Sequence, residues 1–266
     1  MSGLLIREVL CLLKKASLVG AFFICAASVL ADCPPPGATH EIRVQRVVDG
    51  DTVRLSDGRN LRLIGINTPE LRPREGSGPE PYAVRAQRRL QELVDAADGR
   101  LRIYPAQPER DGYGRLLAHL YDARGNNLES QLLSEGLGYF VAFHPATPIA
   151  DCQQRAERQA RDARRALWRQ SPVRSVEQLQ HGGFTLVRGR ISKVDRNRGG
   201  VWLEVDRGMV LRIEPSRLAA FPDLHERSWL GRRIEARGWL VERRAGGGRQ
   251  RWMMNLSDVR MLTRLD

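Results

Sequence analysis

The side chains best suited to chemistry fall in three short segments. They are Val48-Asp49-Gly50-Asp51-Thr52, Arg62-Leu63-Ile64-Gly65-Ile66-Asn67-Thr68-Pro69-Glu70 and Asp111-Gly112-Tyr113-Gly114-Arg115. Acids sit at turns and strand ends, and each nearby arginine sits in a strand or at its entrance. If the strands close into a barrel, these groups converge on one rim. Cleavage of a phosphodiester uses this mixture. The scissile phosphate is anionic and gains charge in the transition state. Hard cations take oxygen ligands from carboxylates, amides and backbone carbonyls. Arginine forks donate bidentate, charge-assisted hydrogen bonds to phosphate oxygens. A carboxylate can hold or activate the attacking water. Taken singly, Asp51 reads as a strand-end residue, Arg62 and Arg115 as edge-strand arginines, and Glu70 as a cap on the next loop. Asp49-Gly50 and Asp57-Gly58 are good hairpin turns, so Asp49 reads as structural.

Alternating patterns predict the strands that must carry these groups. Residues 41–48 alternate polar and apolar, residues 52–55 resume after the Asp49-Gly50-Asp51 turn, and residues 61–66 form a third strand. Residues 71–81, rich in proline, predict a loop. Ala83, Ala86, Leu90, Leu93, Val94 and Ala97 fall at three- and four-residue steps, predicting a helix over 82–97. Strands at 101–104 and 114–121, a short helix at 128–136 and a longer arginine-rich helix at 149–168 complete this half. Residues 170–183 read as a linker. The remainder is strand-rich again, at 184–194, 200–206, 209–213, 232–243 and 250–262, with a helix at 216–228 and Gly246-Gly247-Gly248 in the last hairpin. Five strands with a helix between the third and fourth suggest a small OB-like barrel.

Composition narrows the partners. The 266 residues include 43 Lys+Arg against 31 Asp+Glu, a formal net charge of +12. With 42% hydrophobic residues the chain can build real cores, which excludes wholesale disorder. One apolar run is long enough to discuss, which excludes a polytopic membrane protein. The pI of about 10.5 favours a polyanionic partner, nucleic acid before anionic lipid. Lys14, Lys15 and Lys193 are the lysines, so the basicity is almost all arginine.

The basic start (Arg7, Lys14, Lys15), the apolar run from Ala16 to Leu30 and the small-residue end at Ala27-Ser28-Val29-Leu30-Ala31 predict a secretory signal over 1–31, cleaved after Ala31. An uncleaved anchor is the competing reading. A lipoprotein reading through Cys33 is weaker, because Asp32 stands where a small residue is wanted. The mature protein would be periplasmic or secreted, with no stable membrane insertion. Cleavage removes Cys11 and Cys25. In an oxidising compartment Cys33 and Cys152 are then expected to pair. The boundaries expected are 1–31 signal, 32–169 first domain, 170–183 linker and 184–266 OB-like domain.

The stretch from Val44 to Trp168 resembles the staphylococcal nuclease-like (thermonuclease) family. The Asp-Gly-Asp-Thr turn, the Thr-Pro-Glu strand exit, the Tyr-Gly-Arg segment and the Ala163–Trp168 helix end carry the resemblance. It implies an α+β fold, an OB-type β-barrel with helices. It also implies a nuclease that hydrolyses DNA, with RNA as a further substrate, using a divalent cation for which Ca²⁺ is the expected ion. Asp51 would be the metal-binding aspartate, and Thr68 would help hold the metal through its carbonyl. Arg62 would contact the phosphate and stabilise the five-coordinate transition state. Glu70 would act on the attacking water, Arg115 on the phosphoryl and leaving group, and Tyr113 near the nucleotide phosphate. Cleavage on the 5′ side of the phosphate would leave 3′-phosphate ends. Asn67 stands where the family commonly has a second metal-binding aspartate. It keeps an oxygen but loses a charge, which should weaken Ca²⁺ binding.

Other readings stay open. A catalytically weak or inactive nucleic-acid-binding protein would use both barrels, and an envelope scaffold would show no salt-sensitive affinity. Arg155, Arg158, Arg161 and Arg165 form a basic helix stripe. The preferred reading is a solvated face with Glu157 and Asp162 beside it. Trp202, Trp239 and Trp252 either stack bases or pack the second barrel. His40, His119 and His144 show no metal-ligand spacing. No protein partner is inferable.

Overall fold

The computed structural model describes residues 33–73, 78–143, 145, 148–224, 226–243 and 250–266. The expected signal over 1–31, His144 and the Gly246-Gly247-Gly248 hairpin lie outside the described residues, as do residues 74–77 of the expected loop.

The first half contains β1 (His40–Asp49), β2 (Thr52–Leu55), β3 (Asn60–Leu63), β4 (Ile66–Asn67), α1 (Ala83–Asp95), β5 (Arg100–Arg110), β6 (Leu116–Tyr121), α2 (Leu128–Ser134), β7 (Tyr139–Phe140) and α3 (Ala150–Asp162). A closed barrel runs β1-β2-β3-β6-β5, with β3 and β6 parallel. Inward residues of its strands, among them Val53, Leu61, Leu63, Leu101 and Leu120, are buried, and α1 packs Ala86, Leu90 and Val94 against them.

The expected third strand is broken. Gly65 takes φ +81°, so β3 ends at Leu63 and Ile66-Asn67 leave the barrel to pair with β7. The expected long helix also stops early, at Asp162. Arg164 and Ala166 adopt φ of +50° and +40°, and a single 3₁₀ turn covers Ala166–Trp168. Arg165 therefore leaves the predicted stripe and donates to the Ser134 carbonyl oxygen at 2.8 Å.

The second half contains β8 (Val173–Ser175), β9 (Gly183–Asn197), β10 (Gly200–Val205), β11 (Met209–Ile213), α4 (Glu226–Trp229), β12 (Arg233–Glu242), β13 (Trp252–Asn255) and β14 (Leu262–Arg264). Its pairings also form a ring, β9-β10-β11-β13-β12, closed by β12 on β9 and with β11 and β13 parallel. This is the strand order of the first barrel, so both halves are OB-type. The expected linker carries β8, which extends the second sheet alongside β9. The expected helix over 216–228 divides into a 3₁₀ segment, Pro215–Ala220, and the one-turn α4, with Pro222 between them. The expected last strand ends at Asn255, because the Asp258 side chain caps a 3₁₀ turn at Val259–Met261.

The two barrels share one apolar cluster. Glu157, expected on a solvated face, is 2% exposed. It accepts from the Phe140 N–H at 2.7 Å and from Arg237 at 2.6 and 2.8 Å. Arg161 donates to Glu235 at 2.6 and 2.7 Å, and Arg188 does so at 3.1 Å. The Glu157–Arg237 and Arg161–Glu235 pairs tie α3 of the first barrel to β12 of the second, where Arg188 from β9 joins Glu235. Cys33 and Cys152 are joined in a disulfide that fastens the N-terminal lead-in to α3.

Candidate active site

The site begins at the β1–β2 turn. Gly50 allows it, because a Cβ there would lie 2.7 Å from both the Ala86 Cβ and the Thr68 Oγ1. The Asp51 N–H donates to Asp49 Oδ1 at 3.1 Å, which turns the Asp51 side chain inward, where it is 5% exposed. Asp51 Oδ2 accepts from the backbone N–H of Thr68 at 2.8 Å and from its hydroxyl at 3.1 Å. Asp51 Oδ1 accepts from the Thr52 hydroxyl and forms an ion pair with Arg62.

Arg62 is delivered by register, since it stands opposite Thr52 in the β2–β3 ladder. One of its nitrogens donates to the Asp51 carbonyl oxygen at 3.3 Å, and another to Asn67 Oδ1 at 3.0 Å. Burial lowers its guanidinium to about 10, with Asp49 pulling the other way, so it is charged at neutral pH. The break at Gly65 brings Asn67 and Thr68 onto this cluster.

Glu70 lies beyond Pro69 at the exposed edge. Its N–H donates to Glu80 Oε2 at 2.8 Å, and the Glu80 N–H returns a bond to the Glu70 carbonyl oxygen at 2.9 Å. The carboxyl of Glu70 is held above its ordinary value by partial burial first and the Asp49 carboxylate second, against the pull of Arg62. Asp49 is raised as well, by burial, while Arg62 and Thr52 oppose the shift.

Arg115 enters from the β5–β6 turn. Asp111 accepts its backbone N–H at 3.0 Å and its Nε at 2.7 Å, along with the Tyr113 N–H at 2.9 Å. Burial opposes ionisation of Asp111, but these bonds outweigh it and hold the carboxyl below the usual range. The Arg115 guanidinium lies 5.6 Å from the centre of the Tyr113 ring, which is 80% exposed.

Asp49, Asp51, Arg62, Asn67, Glu70, Tyr113 and Arg115 all line one cavity of about 1110 Å³. Thr68 stands just behind it, 2% exposed, on Asp51. Three acids, a carboxamide and two guanidinium groups at one surface suit a phosphate ester and a hard cation.

Residues 60–170 match the family model described as Staphylococcal nuclease homologue. This part of the chain is therefore similar to the staphylococcal nuclease-like family. Similar proteins include SPbeta prophage-derived endonuclease YokF of Bacillus subtilis (strain 168), 32% identical over 133 residues, which are 48% of this chain and 44% of the relative. Endonuclease YncB of the same organism is 31% identical over 135 residues, 49% of this chain and 62% of the relative. Thermonuclease of Staphylococcus hyicus is 29% identical over 129 residues, 47% of this chain and 74% of the relative. The chain spans about half the length of the first two relatives.

In the first half, Asp49 takes the expected structural role by accepting the Asp51 N–H in its turn, and it also lines the cavity. The alternation Asp49-Gly50-Asp51 held the signal for that second role, because a tight turn can point both carboxylates the same way. Sequence reasoning missed Arg174 and Phe184, which line the same cavity from the second half and belong to no motif, whereas Trp239, one of the three tryptophans expected either to stack bases or to pack the barrel, lines it as well. Trp252, one of the two-way tryptophans, is 2% exposed and packs the second barrel.

Proposed function

We propose that this protein is an exported, divalent-cation-dependent nuclease that hydrolyses phosphodiester bonds of DNA, and of RNA as a further substrate. One observation carries the reading: Asp51, Arg62, Asn67, Glu70 and Arg115 line a single cavity. The nuclease relatives lend support.

The donor set fits a hard cation. It is all oxygen, and Asp51 Oδ1 and Asn67 Oδ1 already face one positive charge, the Arg62 guanidinium. Asp51, Asn67 and Thr68 would hold the ion. When bound it supplies positive charge to the phosphate oxygens, with Ca²⁺ as the expected species.

Glu70 is the base. Its raised proton affinity suits it to take a proton from water as the water oxygen bonds to phosphorus. The bond from phosphorus to the 5′-oxygen breaks, that oxygen is protonated, and the products are a 3′-phosphate and a 5′-hydroxyl. Arg62 and Arg115 hold the phosphoryl oxygens as charge accumulates. Asp111 positions Arg115 through the Nε bond, leaving its Nη groups for substrate.

Digestion of single- and double-stranded DNA with Ca²⁺, with Mg²⁺ and with chelator tests the reading. Glu70→Gln should lower kcat by about 10²–10⁴, and Arg115→Ala by about 10²–10³. Unchanged hydrolysis in both variants overturns it. The carboxamide at Asn67 favours the second reading, a binding protein without turnover; metal-independent binding with no hydrolysis would establish that one.

A further inference from the structure

The first barrel builds only one side of the cavity. The other side comes from β8, the start of β9 and the end of β12, through Arg174, Phe184, Thr185, Trp239 and Val241. Aromatic rings run along this wall in contact. Tyr139 and Phe184 lie 5.5 Å apart, tilted by 31°. Phe184 meets Trp239 edge-on at 5.2 Å, and Trp239 stacks on Phe143 at 5.6 Å.

Tyr139 and Phe184 are half-buried and pack against the core, but Trp239 and Phe143 are not needed to fill the second barrel. Trp229 and Trp252 do that, at 6% and 2% exposure, whereas Trp239 is 40% exposed and Phe143 52%. Trp239 falls on the outward step of β12, between buried Gly238 and Leu240. The exposed ring surface of Trp239 and Phe143, beside a cationic site, matches one kind of occupant. A single nucleic-acid strand offers anionic phosphates and unpaired bases at regular intervals. Stacking on aromatic side chains contributes about 1–3 kcal/mol per base. A duplex keeps its base faces covered, so it cannot use this wall. Arg174 and Arg72, in the same cavity, complement the backbone charge.

We infer that Trp239, Phe184 and Phe143 form a base-stacking subsite, contributed mainly by the second barrel, for single-stranded nucleic acid flanking the phosphate that is cleaved. The inference rests on the nuclease reading of the adjoining cavity. It assigns the second barrel a share in substrate selection: single strands are preferred because their bases reach the wall.

The test compares two probes on the full chain in chelator by fluorescence anisotropy. One is a short labelled oligothymidylate. The other is an abasic deoxyribose-phosphate chain of the same length and charge. Trp239→Ala should weaken the oligothymidylate about tenfold and leave the abasic chain within about twofold, and Trp239→Phe should recover most of the loss. Equal loss for both probes, no loss for either, or a dimer that Trp239→Ala dissociates while oligothymidylate binding stays intact overturns the subsite. If the wild type fails to cleave any ester yet discriminates the probes, the nuclease reading falls and the subsite stands. If it cleaves and Trp239→Ala binds normally, the reverse holds.

Discussion

Arg62 sits where two oxygens of different charge meet, the Asp51 carboxylate and the Asn67 carboxamide. Position 67 therefore bears directly on how strongly the cluster attracts a cation. Asn67→Asp keeps the oxygen that Arg62 binds and adds a negative charge beside Asp51. An added unit charge near 4 Å at an effective dielectric of about 20 is worth several kcal/mol to a divalent ion. The buried site and Asp51 take back part of that gain. Ca²⁺ affinity measured by calorimetry should rise about tenfold or more, and hydrolysis should saturate at lower Ca²⁺. An unchanged affinity would remove residue 67 from the ligand set. The chemistry-bearing side chains were legible in the sequence because each stands in a turn or at a strand end with its own local signature. Asp49 was harder, since the glycine turn that presents it also explains it.

At the scale of elements, what was legible followed from local pattern. The helix α1 has its apolar residues at helical steps, and the first two hairpins carry Asp-Gly turns. What was hidden depended on distant contacts. No glycine or proline marks the end of α3; the chain leaves the helix there as the Leu167 N–H bonds the Gly136 carbonyl oxygen and Arg165 reaches Ser134. Glu157 looked solvated because its partner, Arg237, is 80 residues away. Two elements carry expectations of their own. Gly50→Ala forces a methyl group against Ala86 and Thr68, so the β1–β2 turn must shift. A loss of about 1–3 kcal/mol in chemical denaturation is expected, together with reduced hydrolysis because Asp51 moves with the turn. The disulfide closes a separation of 119 residues, so its chain-entropy contribution is about 4–5 kcal/mol. Cys152→Ser should lower the denaturation midpoint without changing the slope of activity against Ca²⁺; an unchanged midpoint would show that the α3 anchor is held without the bridge.

For the whole molecule, the two barrels are joined by a shared apolar cluster and by charged pairs enclosed between them. Glu235 is 4% exposed and is met by Arg161 from α3, with Arg188 and Arg237 beside it. Burial alone would raise its carboxyl. The Arg161 bonds, then Arg188 and Arg237, outweigh burial and hold the carboxyl below the ordinary glutamate value. A depressed folded value contributes stability that is fully present above the unfolded glutamate range. It is lost as pH falls through the folded value. Glu235→Gln keeps the shape but leaves the arginines facing a neutral amide. At neutral pH it should destabilise the full chain by about 2–3 kcal/mol, below the range for a fully enclosed pair because Arg161 and Arg188 keep contact with water. The wild type should lose this advantage on acidification, so the two stability curves converge below the ordinary glutamate range. Thermal unfolding followed from neutral to acid pH measures this directly. A gap that stays constant with pH would mean that the ionised carboxylate does not hold the barrels together. Because the cavity wall at Phe184 and Trp239 rides on β9 and β12, the strands that carry Arg188, Glu235 and Arg237, the same variant should also weaken oligothymidylate binding before it unfolds the chain.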